Sequence, residues 1–176
     1  MAEDGTDLGA YAVEGSTAID WEDMAVGPGP DPAVSYLYAA DIGDNSAARD
    51  PVTVYRVEEP AATPTNGGTL TGTATFQIRY PGGAADAEAL LVDPDSGDLL
   101  VVTKTYVGTA RILRAPATSL VDGATITLTD EGTITLAPPT GSRATLPGMA
   151  VTGGDISSDG SLIVLRTYQT VLAFSR

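Results

Sequence analysis
Apolar runs of strand length recur along this chain, and each is cut off by Gly, Pro, Asp, Asn or Ser. AVSYLYAAD (33–41), VTVYRV (52–57), TATFQIRY (73–80), ARILRA (110–115), SLIVLRT (161–167) and TVLAFS (170–175) are the clearest. They alternate or run continuously at strand length, and none extends with a helical period. Thr- and Val-rich stretches such as ATITLTDEGTITL (124–136) suit a pleated, half-buried surface. The pattern predicts an all-β protein of short antiparallel strands joined by tight turns.

The strands are organised as a repeat. DWEDMAVGPGPDPAVSYLYAAD (20–41), DAEALLVDPDSGDLLVVTK (86–104) and TGGDISSDGSLIVLRT (152–167) share one order: an acidic or small start, a strand, a Pro/Asp/Gly turn, and a second, more apolar strand. Glu22 matches Glu88, and Val26, Val92 and Ser157 are aligned before the turn. Third strands follow at 52–57, 110–115 and 170–175, and fourth strands at 73–83 and 132–141. Four short strands per unit, about 59 residues on average, are the signature of a β-propeller blade.

Three blades are expected, at about 19–80, 85–137 and 148–175, in a single half-propeller domain spanning 1–176. The third lacks a fourth strand, while LGAYAVEG (8–15) reads as a fourth strand without a blade. Three blades are too few for an ordinary ring. The expectation is therefore a homodimer closing a six-bladed ring, in which residues 8–15 of one chain complete the third blade of the other. A fragment, or a monomer of three blades, is the alternative.

In VDPDSGDLLVV (92–102) three aspartates fall within six residues. A calcium loop and a hairpin turn both fit that crowding. The twelfth-position Glu of an EF-hand is missing, and Asp95-Ser96-Gly97 has turn chemistry, so the turn is the stronger reading. NGG (66–68) and DEG (130–132) are further hairpin or loop signals.

Composition narrows the chemistry. The net charge is −14, and Lys104 is the sole lysine. With no basic patch, neither nucleic acid nor an anionic membrane is an expected partner. The 176 residues include neither Cys nor His, which removes thiol nucleophiles, Cys/His zinc sites and histidine triads. No G-x-S-x-G elbow is present. No apolar leader or long apolar span is visible in the sequence as given.

DWEDMAVGPGPD, YLYAADIGDN, VTVYRVEEP, DAEALLVDPDSGDL and GGDISSDGSLIVLRTY together resemble a family of secreted, largely actinobacterial β-propellers. That family is itself distantly similar to the phytase-like, TolB-like and strictosidine-synthase-like six-bladed propellers. The resemblance runs from about Leu8 to Tyr168. Family members carry additional blades that this sequence lacks. The resemblance implies secretion, and propellers of this kind often hold calcium on their axis.

In a propeller, inner-strand starts and second-strand ends meet around the channel mouth. That rule gathers Asp20, Glu22, Asp23, Asp41, Asp44, Asn45, Asp86, Glu88, Thr103, Lys104, Asp155, Arg166 and Tyr168. Strand parity predicts that Glu22, Glu88 and Asp155 face the channel together. Two readings follow. Glu22, Asp41, Asp44, Asn45, Glu88 and Asp155 supply oxygen ligands to Ca2+, or the carboxylates form a solvated funnel braced by Lys104 and Arg166. Asp20, Trp21, Lys104, Arg166 and Tyr168 are candidates for contacting a small ligand. DIGDN (41–45) is either a ligand loop or an Asx turn. Trp21 either packs between adjacent blades or stacks on a ligand.

The functional expectation is a non-catalytic propeller subunit that binds calcium or a small ligand at an acidic channel mouth. No residue is assigned to catalysis. The alternatives are a calcium-dependent ester or phosphoester hydrolase, by resemblance to phytase-like and lactonase-like propellers, and an engineered or truncated half-propeller without activity.

Overall fold
The computed structural model describes residues 7, 9–61, 67–105, 108–136 and 146–176. Strand β1 (Tyr11–Val13) comes first. One sheet then takes β2 (Asp23–Gly27), β3 (Tyr36–Asp41), β4 (Val52–Glu58) and, after the short β5 (Gly68–Leu70), β6 (Ala74–Arg79). A second sheet takes β7 (Ala87–Val92), β8 (Leu99–Thr103), β9 (Thr109–Ala115) and β11 (Thr129–Thr135). Between the last two, β10 (Thr125–Thr127) crosses back and pairs parallel with β6. The third sheet holds β12 (Val151–Ile156), β13 (Leu162–Thr167) and β14 (Val171–Ser175).

The protein is therefore all-β with several sheets. The strands expected at 52–57, 73–83, 110–115, 161–167 and 170–175 correspond to β4, β6, β9, β13 and β14. Leu8, Asn66 and residues 137–141 of the expected strands and turns lie outside the described residues.

Packing explains the patterns of individual strands. One core lies between the first and second sheets, where Ala25, Tyr38, Val54 and Phe76 meet Leu90, Val92, Leu99 and Val101. The other lies between the second and third sheets, where Ala89, Leu91 and Val102 meet Val151, Ile156 and Leu165. The second sheet is thus covered on both faces. That is why β7 reads AEALLV with no polar alternation beyond Glu88, and why it is buried throughout. β14 is covered on one face only, so its burial alternates along VLAFS.

Two expectations are corrected here. DEG (130–132) is a bulge inside β11 and not a turn: the register with β9 shifts between Asp130 and Gly132, and Gly132 has a φ of 121°. Residues 11–13 are also not left over for a partner. They pair with Gly68–Leu70 of their own chain, in parallel. Gly67 permits that pairing, with a φ of +82° and no room for a Cβ against the Ala10 carbonyl. The outer edge of β14 carries no strand among the described residues.

VDPDSGDLLVV forms the hairpin between β7 and β8. The Asp93 carboxylate accepts the N–H groups of Asp95 at 2.9 Å and Ser96 at 3.0 Å. The Asp98 carboxylate accepts the Ala117 N–H and Arg114 Nε, both at 2.7 Å. These aspartates close a turn and its flanks.

Candidate functional site
The site is assembled where β2 and β7 begin and β8 and β13 end. β2 is preceded by Asp20, Trp21 and Glu22, and the N–H of Glu22 donates to Ala40 O at 2.9 Å. A Cβ on Gly43 would run into the carboxylates of Glu22 and Asp20, so both acids lie against that glycine backbone. Across from them, Lys104 follows β8 with its side chain only 3% exposed. Its Nζ donates to Glu88 Oε1, lies 3.4 Å from Asn45 Oδ1 and 3.7 Å from Asp86 Oδ2. The Tyr168 ring centroid is 5.9 Å from the same nitrogen.

Glu22, Glu88, Thr152, Arg166, Thr167 and Tyr168 line a cavity of about 380 Å³. All three sheets contribute to it. Burial pushes the Glu22 carboxyl up to about 7, with further pushes from Glu88 and Asp20, against a pull from Lys104. Glu22 is therefore a carboxyl that exchanges its proton near neutral pH, beside a lysine already engaged by Glu88.

The structure separates several residues that the sequence placed together. Asp155 does not join Glu22 and Glu88. It pairs with Val164 on the outer face of the third sheet, and its carboxylate accepts the Ile156 N–H at 2.8 Å. The residue that takes the expected third place in the cavity is Thr152. Bulges explain the error. The register slips between Ala87 and Ala89, and again between Val151 and Gly153. A one-residue slip transfers side chains to the opposite face.

Asp41 and Asp44 are spent on structure, while Asn45 is exposed and faces Lys104. Asp41 is fully buried and accepts the N–H groups of Ile19 at 2.9 Å and Asp20 at 2.8 Å. Arg49 pairs with it at 2.8 Å and also donates to Gly43 O at 2.5 Å. The Asp44 carboxylate accepts from Ala48 at 2.9 Å and Arg49 at 2.6 Å. The Asp44 N–H donates to Asp86 Oδ1 at 2.8 Å, tying the loop to the second sheet. DIGDN is a structural loop and not an Asx turn: Asp44 accepts N–H groups four and five residues on, and Asp41 holds residues 19–20. Arg49 was missed by sequence reasoning. Its signal was a single cation a few residues after an acidic loop ending a buried strand.

Trp21 is not sandwiched between two sheets. It stacks on Tyr55 at 6.0 Å, on the face of the first sheet turned away from the second, and is 41% exposed. The Tyr55 hydroxyl also accepts the Thr17 N–H at 3.1 Å, so residues 17–21 lie along that face.

The six residues proposed for calcium do not form a ligand sphere. Asp41 and Asp44 are saturated by N–H groups and Arg49, Glu88 is taken by Lys104, and Asp155 lies elsewhere. Among the described residues no group of three or more acidic side chains is arranged to hold a metal ion.

No family model and no curated protein matches the chain. Among solved structures, a chain of "Crystal Structure of Mitotic Checkpoint Complex" overlaps it with a TM-score of 0.39 and 15% identity, over 86% of this chain and 35% of that one. This chain thus spans about a third of that protein's length. So slight a likeness carries no weight beyond the sheets described above.

Proposed function
We propose that the chain is a non-catalytic, β-propeller-type subunit. Its three sheets are blades, and the outer flanks of the first and third bury against a second copy of the chain. The observation that carries this reading is where apolar side chains stay exposed. Met24 and Val26, on the flank of the first blade, are 59% and 46% exposed. Leu162 and Val171, paired into the flank of the third, are 40% and 70% exposed. These positions lie at the two ends of a packing series that is satisfied twice within the chain, and residues 17–21 already cover Tyr55 on the first sheet's outer face. Mating them would build an interface of standard size, on the order of 1,200–2,000 Å². The mouth cavity then serves to hold a small polar ligand.

Strand exchange is not part of this proposal, because β1 is engaged with β5 in its own chain. The test uses the absence of cysteine. One chain carries Met24→Cys and another Val171→Cys, and a short bis-maleimide is added to the mixture. A covalent dimer should form in the mixture and not in either variant alone. Cross-linking that ignores the mixing, or none at all, contradicts flank-to-flank association.

Glu22 favours a second reading. A carboxyl titrating near 7 beside a cavity is equipped to take a proton as a general base. Turnover of simple carboxylic or phosphate esters that disappears in Glu22→Gln would support this reading over the first. Flat activity in the wild-type protein would remove it.

A further inference from the structure
Asp23 opens β2, yet its side chain belongs to all three sheets. Its Oδ2 accepts the N–H of Leu90 in β7 at 3.0 Å and the N–H of Gly154 in β12 at 3.2 Å. The Met24 N–H contributes as well. The three residues occupy matching places. Met24, Leu90 and Gly154 each stand two residues after a residue lining the mouth cavity, namely Glu22, Glu88 and Thr152.

β2, β7 and β12 are each the last strand at one edge of a sheet. N–H groups on such an edge have no ladder partner, and a buried one needs an acceptor. The Ala87/Ala89 and Val151/Gly153 bulges immediately precede two of the three donors. Burial pushes the Asp23 carboxyl above the usual range, against the pull of the N–H groups and of the Arg166 guanidinium.

The geometry points to an anion hole built from the N–H groups of Met24, Leu90 and Gly154 on the common axis of the three sheets. The Asp23 carboxylate is its built-in ligand, and the filled hole sets the angle at which the third sheet closes on the first. The hole suits a small monoanion of carboxylate type. The hole stands on the hydrogen bonds of one protomer and does not depend on association with a second copy.

The test empties the hole and refills it. Amide hydrogen exchange at Leu90 and Gly154 is measured in the wild-type protein, Asp23→Ala and Asp23→Asn. Each is measured in sodium formate and in an equal concentration of benzenesulfonate, which is too bulky for the hole. Asp23→Ala should exchange at both amides at least ten-fold faster than wild type, with formate, and not benzenesulfonate, restoring most of the protection. Asp23→Asn keeps the side-chain shape and one acceptor oxygen, so it reports even where the alanine variant does not fold. It should exchange a few-fold faster than wild type. Wild-type exchange rates in Asp23→Asn, or an alanine variant that answers both anions alike, would overturn the proposal.

Discussion
At the scale of single residues, two carboxyls show how position decides charge. Burial pushes Asp93 up, but the Arg176 side chain and the N–H groups of Ser96 and Asp95 outweigh it and hold the group at about 2. Glu22 has neighbouring carboxylates instead, and sits at about 7. A carboxyl whose folded pKa is raised favours folding most below its unfolded value, near 4.3, and that contribution is lost as pH rises through the folded value. Wild-type stability should therefore fall between about pH 4.5 and 7 on account of Glu22. Glu22→Gln removes the titration. Thermal melts should show the variant gaining on wild type between pH 4.5 and 8; an unchanged difference across that range would place Glu22 in solvent. Most mouth residues were legible in the sequence because acids and one lysine at strand ends are conspicuous. Their roles were not, because a carboxylate that accepts N–H groups looks the same in sequence as one left for a ligand. Asp41 and Asp44 belong to the first kind, and Glu22, on the proposed reading, to the second.

At the scale of elements, turns were legible and bulges were not. Asp-Ser-Gly and Asp-Gly announce hairpins through their backbone preferences, and the hairpins at 93–98 and 157–162 close there. Gly153 and Gly154 in TGGDISSD were the available signal for the slip after Val151, since glycine inside a strand often marks a bulge, but they do not say which residues change face. The cost was one residue of register: Asp155 was assigned the place that Thr152 holds. The continuous apolar run of β7 fits its place in the central sheet, since a strand covered on both faces omits alternation. Truncation should separate the two kinds of position. Leu90→Ala, at 0% exposure between two sheets, should cost about 2–5 kcal/mol. Val121→Ala, at 63% exposure and away from both flanks, should stay within about 0.5 kcal/mol. Denaturant melts that rank the two equally would mean that the inter-sheet core is not as described.

At the scale of the whole molecule, composition and periodicity gave the all-β class, while the relation between sheets depended on contacts no local pattern records. The Asp23 bonds to Leu90 and Gly154 join residues far apart in the chain, and the β1–β5 pairing depends on one glycine. The flanks are a different matter. Under the proposed association, Met24, Val26, Leu162 and Val171 are exposed because each protomer lacks the next sheet in its own packing series. Solution mass by light scattering tests that claim most directly, comparing the wild-type protein with a variant carrying Met24→Glu and Val171→Glu. The account predicts twice the 17.9 kDa chain mass for the wild type and a single chain mass for the variant. A wild-type protein at a single chain mass across the micromolar range would contradict it.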